Sequence, residues 1–308
     1  MKITDIPGIE VGHSTHDTEA TGCTMILCRE GAIAGVDVRG SAPGTRETEL
    51  LRPTFMVRKI HGIMLSGGSA FGLRTADGAM QWCAENAIGY DARGIIVPII
   101  PAAIIFDLTN ERNTDFPSVQ MGYDACANAG KNFAEGQTGV GRGAMVGKIM
   151  GREFAMNGGV ASAATELPGG IRVGAIAVAN ALGDVIDPAN GQIVAGVRNP
   201  DGSGFANTLH TVIRGGFPTE ADGTNTTLAV VATNAKFTKE EINKIAQMAQ
   251  NGIARSTRPA HTMHDGDVVF ALSTGELAAD VSIVGEVAAQ MVAAAIVRAV
   301  QLGNKIGE

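Results

Sequence analysis

Eight short apolar runs, rich in β-branched residues, set the terms for this chain. They are Thr24 to Cys28, Ala32 to Val38, Gly62 to Ser66, Ile95 to Val97, Val173 to Ala179, Ile193 to Val197, Leu228 to Thr233 and Val268 to Leu272. Several are bounded by Gly, Asp or Asn, as strands are. Helical patterns lie between and after them. Phe71 to Glu85 follows a glycine-rich turn, and Ser118 to Phe133 starts after Pro117 with apolar residues at helical spacing. Thr238-Lys-Glu-Glu241 is a capping box that opens a third helix. Val281 to Leu302 is apolar on most faces, which implies burial between other elements. Strands buried on both faces, with helices to cover them, predict an α/β or α+β layered fold. The 41 glycines, set against two tyrosines and one tryptophan, fit closely stacked layers joined by tight loops. At 308 residues and 45% hydrophobic, the chain can bury a sizeable core as one large domain or two ordinary ones.

Charge and composition narrow the function classes. The net charge is -7 and no Lys/Arg-rich run occurs, so a nucleic-acid partner is not expected. The N-terminal MKITDIPGIEVGHS has no apolar core or cleavage-site pattern of a secretory signal. Ala278 to Leu302 is interrupted by Asp280, Glu286, Gln290 and Arg298, and its longest unbroken apolar run is only Met291 to Val297. No membrane span is expected from it. Cys23, Cys28, Cys83 and Cys126 show no CxxC pairing, and read as small buried hydrophobes in a reducing compartment. The expectation is a cytoplasmic protein.

Four segments could carry chemistry. In Gly223-Thr224-Asn225-Thr226-Thr227, a polar, turn-prone stretch ends at a hydroxyl residue where a β-rich run begins. Thr226 there could attack the carbonyl of Asn225, cut its own chain and become an N-terminal nucleophile whose α-amine serves as base. The preceding Arg214 to Asn225 reads either as a plain surface loop or as the tail left by such a cut. In His261-Thr-Met-His264-Asp265-Gly266-Asp267, alternation along a strand would point both carboxylates to one side. Asp-Gly is equally a favoured turn pair. The histidines make half of a metal site conceivable, but no second dense cluster completes a shell, so no metal or other cofactor is expected. Ser66-Gly67-Gly68-Ser69, between a strand and a helix, offers backbone amides for an oxyanion or simply tight packing; it is neither GxGxxG nor a Walker A loop. Lys148 ends the glycine-rich stretch that starts at Gly139, and Asn180 closes the run from Val173. A solvated lysine and a turn-forming asparagine are the ordinary alternatives to site roles.

Order and spacing of these motifs add what none supplies alone. Across nearly the whole chain run VRGSAPGTRETELL, LSGGSAFGL, VPIIPAAIIFDL, GVGRGAMVGK, VGAIAVANALGDV, GTNTTLAVVATNA and HDGDVVFALSTGE. In these the chain resembles the L-aminopeptidase/D-esterase (DmpA-like) family of self-processing peptidases, which includes β-peptidyl aminopeptidases and nylon-oligomer hydrolase. The resemblance implies one αββα sandwich domain over 1–308, shared with the ornithine acetyltransferase family, cut between Asn225 and Thr226 into an α-subunit (1–225) and a β-subunit (226–308). Thr226 would be the nucleophile, Asn180 the oxyanion-side asparagine, Lys148 the active-site lysine, and Asp265 and Asp267 the acidic pair that orients the nucleophile. Phe106 departs from the pattern, standing where several relatives carry a hydrogen-bonding tyrosine. The implied activity is that of an N-terminal threonine aminopeptidase or amidase on short peptides or amino-acyl amides and esters, assembled as a homo-oligomer of αβ units. An acyltransferase of the ornithine acetyltransferase type and a non-enzymatic metabolite- or metal-binding scaffold are the rival readings.

Overall fold

The computed structural model describes residues 1–108, 115–217 and 225–306. Among these described residues, nine strands join through one continuous ladder: β1 (Glu10–Thr15), β2 (Gly22–Val38), β3 (Thr45–Arg46), β4 (Lys59–Ser66), β5 (Ala102–Ile104), β6 (Gly159–Leu167), β7 (Ile171–Asn180), β8 (Thr226–Ala235) and β9 (Val268–Leu277). Their order is β6-β7-β8-β9-β2-β4-β5-β3, with β1 also on β2. Neighbours are antiparallel except β8/β9 and β4/β5, which run parallel. The helices are α1 (Thr75–Glu85), α2 (Val119–Ala127), α3 (Thr208–Gly215), α4 (Lys239–Ser256) and α5 (Val281–Gly303).

The ladder folds into two sheets because β2 belongs to both. Its first half, Gly22 to Leu27, pairs with β1, and Cys23 to Leu27 also pair with β4. Its second half, Ile33 to Val38, pairs with β9. The register shifts between Leu27 and Ala32, where Gly31 takes φ +72°, a conformation glycine adopts without the clash a Cβ brings. The two apolar runs read from sequence, Thr24 to Cys28 and Ala32 to Val38, are thus one bulged strand.

Alternation along the strands then sorts the core into three layers. Ile26, Ile63 and Leu65 from one sheet meet Ile176, Val178, Leu228, Val230 and Phe270 from the other between the sheets. The opposite face of the first sheet, with Met25, Leu27 and Met64, is covered by Ala76, Ala79, Trp82 and Cys83 of α1 and by Ala125 and Cys126 of α2. The opposite face of the second, with Ala175, Ala177, Ala229, Val231 and Ala271, is covered by α4 and α5. The result is the αββα sandwich. By length and apolarity α5 could cross a bilayer, but it packs on α4, β6 and β7 with its apolar residues in the core.

Several expected boundaries move. The helix expected over Ser118 to Phe133 is α2 alone, capped by the Ser118 hydroxyl, which accepts the Met121 N–H at 3.2 Å. It stops early because Gly130 exchanges backbone hydrogen bonds with Val11 at the edge of β1. Phe71 to Arg74 is 3₁₀ rather than α. Outside the main ladder, Ile95–Val97 forms a small hairpin with Tyr90–Ala92, and the run from Ile193 gives a strand, Ile193–Ala195, at the edge of a three-stranded sheet. The four helical patterns omitted α3, and the eight strand runs omitted β1, the short β3 and β5, and the alanine-rich β6. The expected loop Arg214 to Asn225 begins inside the last turn of α3, and its 218–224 lie outside the described residues.

α1 and α2 cross at backbone contact. A Cβ on Gly122 would sit 1.8 Å from the Thr75 carbonyl oxygen, and one on Gly78 would sit 1.8 Å from that of Val119. Gly122→Ala is expected to cost about 1–3 kcal/mol, the usual range for overpacking a tight contact. Chemical denaturation of the variant against its parent measures this.

Candidate active site

Three strand ends converge at one mouth of the gap between the sheets. Antiparallel pairing sets Asn180, the last residue of β7, opposite Thr226, the first of β8. Parallel pairing of β8 with β9 brings the turn before β9 alongside, and Asn225 bridges Asp265 there. Thr226 and Asn180 alternate with Leu228 and Val178, so they share the face that looks between the sheets.

The peptide between Asn225 and Thr226 is held by two donors. The Thr226 hydroxyl donates to the Asn225 carbonyl oxygen at 2.6 Å, and the Gly266 N–H donates to the same oxygen at 2.8 Å. Asn225, Thr226 and Thr227 are all buried. A backbone donor aimed at this oxygen is the geometry that stabilises a tetrahedral oxyanion, where loss of one donor typically costs a few kcal/mol.

Asn180 organises the opposite wall. Its Oδ1 accepts the Met145 N–H at 3.1 Å and the Lys148 ammonium at 3.1 Å, and its Nδ2 donates to the Phe106 carbonyl at 3.2 Å. Lys148 also donates to the Asn180 carbonyl at 3.0 Å. Phe106 therefore enters the site through its backbone, where the sequence comparison turned on its missing hydroxyl. Lys148 retains some surface exposure, yet desolvation of its ammonium, with Arg152 nearby, pushes its pKa down to about 7, against the pull of Asp265 and Asp107. It is an amine that can change protonation state near neutrality.

The two carboxylates do separate jobs. Both precede β9, which starts at Val268, so strand alternation does not govern them. The Asp265 Oδ2 turns back to accept the Thr262 N–H at 2.9 Å and the Thr262 hydroxyl at 2.6 Å. Burial, then the neighbouring Asp267, raise the Asp265 pKa, and Thr262 and Lys148 oppose them. Asp267 accepts the Thr227 N–H on Oδ1 at 2.7 Å, one residue beyond Thr226, and meets His261 through Oδ2.

The Ser66 to Ser69 loop is engaged elsewhere. Its Gly67 N–H donates to Gly22, that of Gly68 to Asp107 Oδ1 and that of Ser69 to Ile105. Those amides therefore do not cradle the Asn225 carbonyl, a correction to the oxyanion role considered for them; Gly266 supplies that donor. The structure joins Thr226, Asn225, Asn180, Lys148, Asp265, Asp267 and the Phe106 backbone in one network. Sequence reasoning passed over Gly266, Thr262 and Asp107. The hydroxyl of Thr262, three residues before Asp265, was the visible sign of a turn closed by its own side chains.

A model of peptidase family S58 matches residues 1–307. The chain belongs to peptidase family S58. Within it, the chain is 41% identical over 293 residues to an uncharacterized aminopeptidase of Mycobacterium bovis, covering 90% of this chain and 82% of that one. It is 28% identical to a 6-aminohexanoate-oligomer endohydrolase of Kocuria sp., over 89% of this chain and 75% of the relative. The same fold is seen in a Burkholderia sp. beta-aminopeptidase (TM-score 0.68, 22% identity, 97% and 85% of the two chains). It is seen again in the L-aminopeptidase D-Ala-esterase/amidase of Ochrobactrum anthropi, described as a variant of the Ntn-hydrolase fold (TM-score 0.69, 19% identity, 97% and 85%). As an S58 member this chain is a hydrolase of the peptidase class.

The electrostatics of Asp265 give a stability test. Asp265 has a folded pKa above its unfolded value, so the folded state binds more protons than the unfolded one between the two values. Stability from this group therefore falls as pH rises through that window. In a Thr226→Ala background, Asp265→Asn is expected to raise the melting temperature at neutral pH. The gain should shrink as pH drops to the ordinary carboxylate range of about 4. Thermal melting at the two pH values checks it.

Proposed function

We propose that this chain is a self-processing N-terminal threonine hydrolase that cleaves amide bonds, acting as an aminopeptidase or amidase on short peptides and amino-acyl amides. The observation that carries the reading is the Asn225 carbonyl, which has the Thr226 hydroxyl and the Gly266 N–H on the same oxygen. The aminopeptidase and oligomer-hydrolase relatives support the same bond class.

In the precursor, Thr226 Oγ attacks the Asn225 carbonyl carbon while its proton passes to the neutral amine of Lys148. Gly266 N–H holds the oxyanion. The C–N bond then breaks, the nitrogen takes up a proton, and an ester links Asn225 to Thr226 Oγ. Water hydrolyses that ester, leaving the Asn225 carboxylate and a free Thr226 with its α-amine. In the processed enzyme the same Oγ attacks a substrate carbonyl, with the α-amine as base, because its reference pKa lies near neutrality. Asp265 and Asp267 balance positive charge on Lys148 and the new amine. The products are two subunits, 1–225 and 226–308, which we take to stay associated and to assemble further as αβ units in the cytoplasm.

Denaturing mass spectrometry of the purified protein should give two fragments that meet between Asn225 and Thr226, and Thr226→Ala should abolish both the cut and turnover. An intact chain in active enzyme contradicts the reading. Hydrolysis rates on α-, β- and ε-amino-acyl amides, with and without an amine acceptor, identify the acyl group and separate hydrolysis from acyl transfer. The protonation of Lys148 gives a further test. Below about 7 its ammonium cannot accept a proton, and above it the free amine can, so self-cleavage should quicken through neutrality and then level off. Lys148→Arg keeps the charge but not the titration. It should remove that rise and slow cleavage by about 10²-fold, followed as precursor decay against pH.

A further inference from the structure

We propose that His261 is a positioning residue for the nucleophile, holding Asp267 through its Nδ1–H so that Asp267 stays fixed on the Thr227 amide. The inference rests on the hydrolase reading above. Asp267 is 1% exposed and takes three donors. Thr227 N–H reaches Oδ1 at 2.7 Å, while His261 reaches Oδ2 with its backbone N–H at 3.1 Å and its Nδ1 at 2.9 Å. An ionised carboxylate only accepts, so the ring nitrogen facing it carries the proton.

Two features of His261 run against local preference. Its backbone sits at φ +57°, a region sparsely used by residues other than glycine. Its Nε2 is buried and has no hydrogen-bond partner among the described residues. Strain and a dry polar atom in one residue are sustained where a neighbouring contact over-determines the conformation, and here that contact is Asp267. The same turn divides its donors: Thr262 serves Asp265 and His261 serves Asp267. Other charged or titratable groups around the pair are His264 and Asp265 on the same turn, Lys148 across Asn180, and Arg39 after β2. The Arg39 guanidinium pairs with Asp37, while its amide donates to the Asp267 carbonyl at 3.0 Å. His261 therefore grips the side-chain oxygen that the nucleophile strand leaves open.

Ring geometry supplies the experiment. Asparagine carries its amide nitrogen on Cγ, where histidine carries Nδ1; glutamine carries it one bond further out, although its volume is nearer to that of histidine. His261→Asn should keep self-cleavage at Asn225-Thr226 within about threefold of the parent, whereas His261→Gln should lose at least about tenfold, the scale of one hydrogen bond to a charged group. Cleavage is read as precursor decay by intact mass, and folding as the melting temperature of each variant in a Thr226→Ala background. His261→Gly, which accepts the positive φ but lacks the ring, should be slow and should recover when imidazole is added. Equal loss in the Asn and Gln variants at matched melting temperature, or no imidazole rescue of the glycine variant, overturns the assignment. A parent chain that never cleaves overturns the hydrolase reading itself, and this inference with it.

Discussion

The register of β8 is the constraint on which the site depends. The strand is buried on both faces, with Leu228 and Val230 between the sheets and Ala229 and Val231 under the helices. A slip of one residue would exchange these two sets and send the Thr226 hydroxyl to the helix side. Two ladders hold it: antiparallel β7, which sets Asn180 against Thr226, and parallel β9, which sets Val268 against Leu228. The same register that fills the core also puts the Thr226 hydroxyl, an asparagine and an acidic turn at one mouth of the sandwich. Core packing and site geometry are two consequences of one pairing.

That coupling explains how much of the molecule was legible from sequence. Strands buried on both faces leave a continuous apolar run, which is why Val173 to Ala179, Leu228 to Thr233 and Val268 to Leu272 were visible. The capping box at Thr238 was visible because both of its halves are side chains, and the Thr238 hydroxyl and Glu241 carboxylate make the reciprocal bonds. β6 was missed because Gly159 to Ala164 is mostly small residues, whose strand preference comes from pairing rather than from bulk. The bulge in β2 was missed because a register shift is a property of two strands, and a single sequence displays only one. Within the site, the residue types that carry charge could be named from their motifs. The Gly266 N–H could not, because backbone donors have no sequence signature apart from the turn that aims them.

The turn from His261 to Asp267 shows how a local motif can serve a distant bond. Read alone, its carboxylates look like a strand pair, and read as a turn they look merely structural. In the fold each carboxylate closes the turn through a side chain three or six residues back, and Asp267 also reaches across to the amide of Thr227. Turn chemistry and site chemistry use the same atoms. Burying two carboxylates side by side is unfavourable unless donors and a cation compensate. Thr262, His261 and the field of Lys148 are those compensations. Removing any one therefore alters the charge beside Thr226 as well as the shape of the turn.

The uncleaved segment also maps where a substrate would lie. On the hydrolase reading, the Asn225 carbonyl occupies the position that a substrate carbonyl takes later, since one hydroxyl attacks both. Gly266 N–H is then a donor common to both reactions, and it is fixed by the backbone before either begins. The base is not common to both, because the α-amine exists only after the cut. A precursor with Thr226 in peptide linkage must borrow a proton acceptor, and Lys148, desolvated until it titrates near 7, is an amine held one residue pair away across Asn180. On that same reading, the depressed pKa of that lysine serves the first turnover of the chain, in which enzyme and substrate are the same molecule.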